Sequence, residues 1–280
     1  MATDITTLTE FIRRVELPST KPKEHVRLYR GHGVGGLELQ PSLFRTQGNR
    51  KHEKNILREL MALHPAEFSS DRGVFEQLVR MQHFSLPTRL LDITSNPLVA
   101  LYFACAASPR TDGEFLRITV GPKAIKYFDS DTVSCIANLA NLSGNERDHL
   151  RRNATDAQVN DGDAGKRLVQ FIRGEKPYFL ARIRRADLDG PLVVKPRLTN
   201  RRLLAQQGAF MLFGLKTKFS EADSGSITIS RSKIPKESKA RILESLDAIN
   251  INASVLFPEM ESAAKYIMGK ISPTSDVERG

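Results

Sequence analysis

Cysteine is scarce in this chain. Cys105 and Cys135 are the only two, both in apolar or helical surroundings, and no Cys-x-x-Cys or Cys/His ligand spacing accompanies them, so buried thiols are expected and a disulfide or zinc site is not. Long apolar runs are missing as well. No stretch approaches the roughly 18 consecutive apolar residues of a membrane span, and the start, with Asp4, Thr6, Thr7 and Glu10, lacks the basic-then-apolar order of a secretory signal. A cytoplasmic protein with no membrane partner is the expectation. Neither an internal repeat nor a long low-complexity linker divides the chain, which favours one continuous domain. His25, His32, His52, His64, His83 and His149 lack the i,i+4 pairing around a carboxylate that marks a zinc helix, so no metal is expected. Gly31-x-Gly33-x-Gly35-Gly36 has neither Walker nor dinucleotide-fingerprint spacing. Serine-hydrolase and nucleophilic-cysteine motifs are also absent.

Positive charge, by contrast, is abundant. Across 280 residues, 42 Lys and Arg stand against 32 Asp and Glu, a net charge of +10. Such a balance suits a polyanionic partner such as nucleic acid, a nucleotide or an acidic protein. The positive clusters lie in the second half: Arg147 with Arg151-Arg152, Arg182 with Arg184-Arg185, and Lys195, Arg197 and Arg201-Arg202. Each can be a solvated face or a contact surface.

Apolar spacing predicts helices over Leu8–Val15, Glu53–Leu63, Phe75–Phe84, Val133–Leu142, Arg167–Ile172, Lys239–Ile249 and Glu259–Met268. Strands are expected at Val26–Arg30, Phe115–Val120, Tyr178–Ile183, Ala209–Leu215 and Ser226–Ile229. Pro, Gly and Asn punctuate the chain at Gly121-Pro122, Asn160-Asp161-Gly162 and Asp189-Gly190-Pro191. Helices, then mostly strands, then helices argue for an α+β domain.

The richest stretch runs from Gln82-His83 through Leu86-Pro87-Thr88-Arg89-Leu90-Leu91-Asp92 to Thr94-Ser95-Asn96-Pro97, then into the apolar Leu98–Cys105. Asn96 can cap the following helix and Pro97 fits its first turn, so the polar residues before it are held by a rigid element. Arg89 and Asp92 are spaced to form an ion pair that fixes the loop, or to face a ligand. His83 reads as a structural histidine or a proton shuttle, and Tyr102 as core or an aromatic wall.

Together with Tyr29-Arg30-Gly31 and Gln206-Gln207-Gly208-Ala209-Phe210, this stretch resembles the FRG domain. The resemblance places a helical extension at residues 1–23, the domain at 24–270 and a disordered tail at 271–280. Phe84-Ser85 stands where Tyr-Gly is common in that family, and Ile93 where Trp is common. The family's biochemistry is poorly defined. More distantly, the same three segments resemble the signature positions of ADP-ribosyltransferases, which implies NAD as cofactor and a single domain with a split, mostly antiparallel sheet and flanking helices.

In that likeness Arg30 would hold the NAD diphosphate with its fork of donors. Tyr29, Gly31, His32 and Arg89 would line the dinucleotide, the glycines letting backbone approach phosphate. Thr94 and Ser95 would meet the nicotinamide ribose, with Tyr102 and Gln206 completing the pocket. Gln207 departs from the pattern, because it stands where the transferases carry a carboxylate that favours the positively charged transition state. Asp92 and His83 are the candidates to supply the missing anion and base. Three functions follow from these residues: an NAD-using transferase or glycohydrolase acting on nucleic acid, a non-catalytic nucleotide or nucleic-acid binding module, and a protein-interaction scaffold. Gln206-Gln207-Gly208 can also be a simple turn with glycine at positive φ.

Overall fold

The computed structural model describes residues 4–16, 22–153, 155–198, 200–220 and 225–258. Seven strands, β1 (Val26–His32), β2 (Leu90–Thr94), β3 (Gly113–Val120), β4 (Ile125–Tyr127), β5 (Leu192–Lys195), β6 (Gly208–Leu212) and β7 (Ile227–Ile234), build one sheet. Their order is β4-β5-β6-β2-β1-β3-β7, and every pairing is antiparallel except the short β4–β5 pair.

The helices are α1 (Leu8–Glu16), α2 (Gln47–Lys51), α3 (Glu53–Leu63), α4 (Pro65–Phe68), α5 (Val74–His83), α6 (Pro97–Ala106) and α7 (Asp131–Ala137). There follow α8 (Gly144–Arg152), α9 (Asp156–Asp161), α10 (Asp163–Glu175), α11 (Arg201–Ala205), α12 (Lys236–Asp247) and α13 (Ala253–Leu256). The molecule is therefore α+β, as the sequence suggests, but its helices are interleaved with the strands.

Helix α6 shows how the sequence fixes the centre. Asn96 accepts a hydrogen bond from the Leu98 amide at 2.9 Å and Pro97 opens the first turn. Val99, Ala100, Leu101, Ala104 and Cys105 are buried, as expected for a helix apolar on nearly every side. It lies so close to β1 that a Cβ on Gly31 would stand 2.0 Å from the Ala100 carbonyl oxygen. Its end is held by Lys239 of α12, whose ammonium donates to the carbonyls of Gly33, Ala107 and Ser108 at 2.8, 3.0 and 3.0 Å.

Three apolar clusters share the sheet. One gathers α3, α5, α7 and α10 around Leu57, Leu78, Ile136 and Leu168; a second joins Leu28, Ile93, Leu116 and Met211; the third packs α1, α6 and α12 on Phe115 and Tyr29. Cys105 and Cys135 are free and buried, and burial pushes both thiols up to about 12. Among the described residues no helix is long and apolar enough to cross a membrane.

Two departures from the sequence reading stand out. Tyr178–Ile183 is irregular rather than a strand: Phe179 and Ile183 are buried but Tyr178 and Leu180 are 79% and 75% exposed. The Asn160 side chain bonds both the amide and the carbonyl of Ile183, taking the place of a strand partner. Strands β4 and β5, and helices α2, α4, α8, α9, α11 and α13, are not among the elements the sequence predicts. The expected helix Glu259–Met268 and the tail at 271–280 lie outside the described residues.

Candidate functional site

Strands β1 and β2 are neighbours at the middle of the sheet but register at a single pair, Tyr29 with Thr94, whereas β1 pairs with β3 along its full length. The sheet is continuous across this seam, but the seam is its narrowest pairing. Side chains alternate across a strand, so Arg30 lies with Leu28 and His32 on one face and Asp92 lies with Thr94 on the other. Cation and anion thus meet the seam from opposite sides.

The Arg30 guanidinium spans the gap. Its Nε donates to His32 Nε2 at 2.9 Å and its Nη1 to the Asp92 carbonyl at 2.5 Å. Burial lowers the pKa of Arg30, Asp92 opposes that shift and Arg45 adds to it, yet a guanidinium remains charged. For His32 to accept from Arg30, Nε2 must carry no proton. Burial first, then Arg30, Arg231 and Arg45, push its pKa down to about 3, which keeps the ring neutral. The ring proton then sits on Nδ1, 3.8 Å from a Glu114 oxygen that Arg231 holds at 2.6 Å. With a neutral ring that approach is no ion pair. His32 therefore positions Arg30.

On the facing side Asp92 is exposed on β2, and Gln82 at the end of α5 donates to its carboxylate at 2.9 Å. Gln82 is fixed in turn by the Thr88 hydroxyl, which also accepts from the Leu90 amide. Thr94 donates to the Gln206 carbonyl at 2.7 Å and accepts from the Asn96 amide at 2.9 Å, tying the end of β2 to the turn before β6. Ser95 meets Gln207 through its amide, at 3.1 Å, and its hydroxyl, at 3.4 Å from the carbonyl oxygen. The Gln206 amide reaches the Leu256 carbonyl at 3.0 Å, so α13 closes over this corner, with Phe257 edge-on to Phe103.

Three depressions join end to end here. The cleft at the seam, lined by Arg30, Asp92, Thr94, Phe103 and Gln206, has a cavity volume of about 40 Å³, room for a few waters at about 10 to 15 Å³ each. Asp92, Leu203 and Gln206 continue into a second, of about 90 Å³, with Gln82, His83 and Arg202. Val79, His83 and Asn200 lead into a third, of about 410 Å³, floored by Phe75 and edged by Asp71, Arg80 and Arg197. Only the last has the size of an ordinary small-molecule pocket, about 300 Å³ or more.

The residues singled out from the sequence divide accordingly. Arg30, Gly31, Asp92, Thr94, Gln206 and the edge of Tyr29 converge on the seam, with His83 further along and Ser95 and Gln207 at the rim. Arg89 does not join them and does not pair with Asp92. It is 1% exposed, forked onto Glu53 at 2.7 and 2.6 Å and bonded to the Phe213 carbonyl at 2.8 Å, which commits its donors to the core. Gly31 and Gly33 face α6 and Ala107 rather than a phosphate. Phe103, and not Tyr102, lines the cleft; Tyr102 packs against the cluster around Phe115. The residue at positive φ is Gln207, at 45°, and not Gly208. Sequence reasoning passed over Gln82 as the group that orients Asp92, although it stands beside His83 in the motif. It had no signal for Glu53 or for the Phe75 depression.

Among the described residues no group of His, Cys, Asp and Glu could hold a metal ion. No curated protein and no solved structure matches the chain, so the likeness to ADP-ribosyltransferases rests on motif order alone. Residues 25–113, which carry Tyr29-Arg30-Gly31 and the whole Gln82–Pro97 stretch, match the family model of the FRG domain.

Proposed function

We propose that the groove binds a dinucleotide of the NAD type and breaks its nicotinamide–ribose bond. The observation that carries this reading is the meeting of Arg30, Asp92 and Gln206, three segments far apart in the chain, on one cleft, with Arg30 reaching it through the gap between β1 and β2. Arg30 uses Nε and one Nη1 hydrogen within the protein and has further donors for a diphosphate at the seam. The seam itself, at about 40 Å³, takes no more than phosphate oxygens at Arg30, so the rest of the dinucleotide lies along the wider groove beside it. As the ribose C1′–N bond breaks, its electron pair leaves with nicotinamide and the sugar becomes positive. Asp92, aimed by Gln82, is the anion that favours this state. The acceptor, water or a macromolecular nucleophile, forms the new bond to C1′ and gives its proton to Asp92 or His83.

The test is release of free nicotinamide from NAD, with water or nucleic acid as acceptor. Asp92→Asn is expected to lower the rate by about two to three decades, and Arg30→Ala to remove the NAD-dependent thermal shift. Neither release nor shift with the unaltered protein would overturn the reading. One feature favours binding without turnover instead: the turn before β6 offers amides, Gln206 and Gln207, and no carboxylate. In that case the thermal shift persists and nicotinamide release is absent.

A further inference from the structure

The three basic clusters of the second half have different fates. Arg147 is buried against Glu53 at 3.4 Å, Arg151 pairs with Asp148, Arg184 with Asp187 at 2.7 Å and Arg185 with Asp189 at 2.6 Å. Arg152 and Arg182 make no ion pair among the described residues; the third cluster differs in being a long run without an acid. From Lys195 to Gln207 there is no acidic residue, and among the described residues Lys195, Arg201 and Arg202 make no ion pair. Arg197 is shared with Glu76 at 3.3 Å. This segment forms the edge of the groove, because Pro196, Arg197 and Asn200 line its largest depression and Arg202 the middle one.

The cations are also interleaved with rings. Lys195 Nζ lies 5.6 Å from the Tyr127 ring, and the Arg197 and Arg202 guanidinium carbons lie 5.7 Å from Phe128 and 4.8 Å from Phe257. Lys195 and Tyr127 are register partners of the β4–β5 pair, so their placement is set by the sheet. Tyr127 is 62% exposed, and Phe84, next to His83 at the groove, is 52% exposed. Positive charge beside the exposed Tyr127 and Phe84 rings is what a single nucleic-acid strand uses: phosphates follow the charge and bases stack on the rings. An acidic peptide would satisfy the charge but leave the rings unused.

We infer that this rim is a track for single-stranded nucleic acid, whose bases stack on the exposed Tyr127 and Phe84 rings beside the groove. The inference deepens the dinucleotide reading by naming the acceptor class, and rests on that reading for what becomes of the bound strand. Its test needs no NAD. Anisotropy of a labelled mixed-sequence single strand, as DNA and as RNA, is measured against salt for the full chain, with the matching duplex and polyglutamate as competitors. Binding should weaken steeply with salt, and duplex and polyglutamate should compete poorly. Lys195→Glu with Arg201→Glu, both exposed, should lower the slope of log K against log salt by about 1.4. Tyr127→Ala should weaken binding roughly fivefold or more by loss of stacking, with thermal melting unchanged. Arg30→Ala should leave oligonucleotide affinity intact while NAD binding is lost, which separates failure of one claim from failure of the other. No binding at low salt, or equal competition by duplex or polyglutamate, would overturn the inference.

Discussion

His32 must stay neutral to accept from Arg30, and that requirement has a direction in pH. Its pKa in the folded chain, about 3, lies below the ordinary 6.5. On acidification the unfolded chain takes the proton first, so stability contributed by the neutral ring is present above pH 6.5 and is lost as pH falls towards 3. The slope expected is about 1.4 kcal/mol per pH unit in that window; His32→Gln should flatten it in denaturant titrations run at several pH values. Gly31 is constrained by space. Gly31→Ala drives a methyl into the α6 backbone, and a loss of about 3 kcal/mol is expected in urea unfolding. At Gln207 the backbone is left-handed, which costs a side-chain-bearing residue roughly 1 to 2 kcal/mol. Gln207→Gly should therefore raise Tm slightly, and a simultaneous loss of nicotinamide release would mark strain kept for the site.

Between elements, the strongest tie is the buried fork of Arg89 on Glu53, which joins the entry to β2 to the start of α3, with Arg147 of α8 as a third member. Glu53→Ala leaves two buried guanidiniums without their anion, and a loss of about 3 to 5 kcal/mol is expected. A paired Glu53→Leu, Arg89→Met change should recover part of it. This tie also shows what local pattern can and cannot disclose. Helices α3 and α6 are legible because Ile56, Leu57 and Leu60 repeat at helical spacing and Asn96-Pro97 announces a start. The partner of Arg89 is not, since Asp92 is nearer in sequence and Glu53 looks like any first-turn acid. Tyr178–Ile183 alternates like a strand but ends with an asparagine as its partner, and β4 and β5 are too short to register as periodic. Within the site, Arg30 and Gln206 stand in recognisable motifs, whereas the Phe75 depression is assembled from α5 and the segment after β5, which no spacing connects.

At the scale of the molecule, the sheet links the cluster that buries Cys135 to the one that buries Cys105. Both thiols should resist alkylation in the folded state, because burial holds them protonated. In rising denaturant they should become reactive together; a gap between the two labelling curves would show that the halves open separately. The strand order reaches further. The stretch at 25–113 ends with β3 just begun, at Gly113; β6 closes the outer side of β2, and β7 that of β3. Excised alone, that stretch would bare apolar edges to other copies and invite aggregation. The hallmark is therefore a foldable unit only together with the chain through β7, and a fragment trimmed to 25–113 is expected to be insoluble.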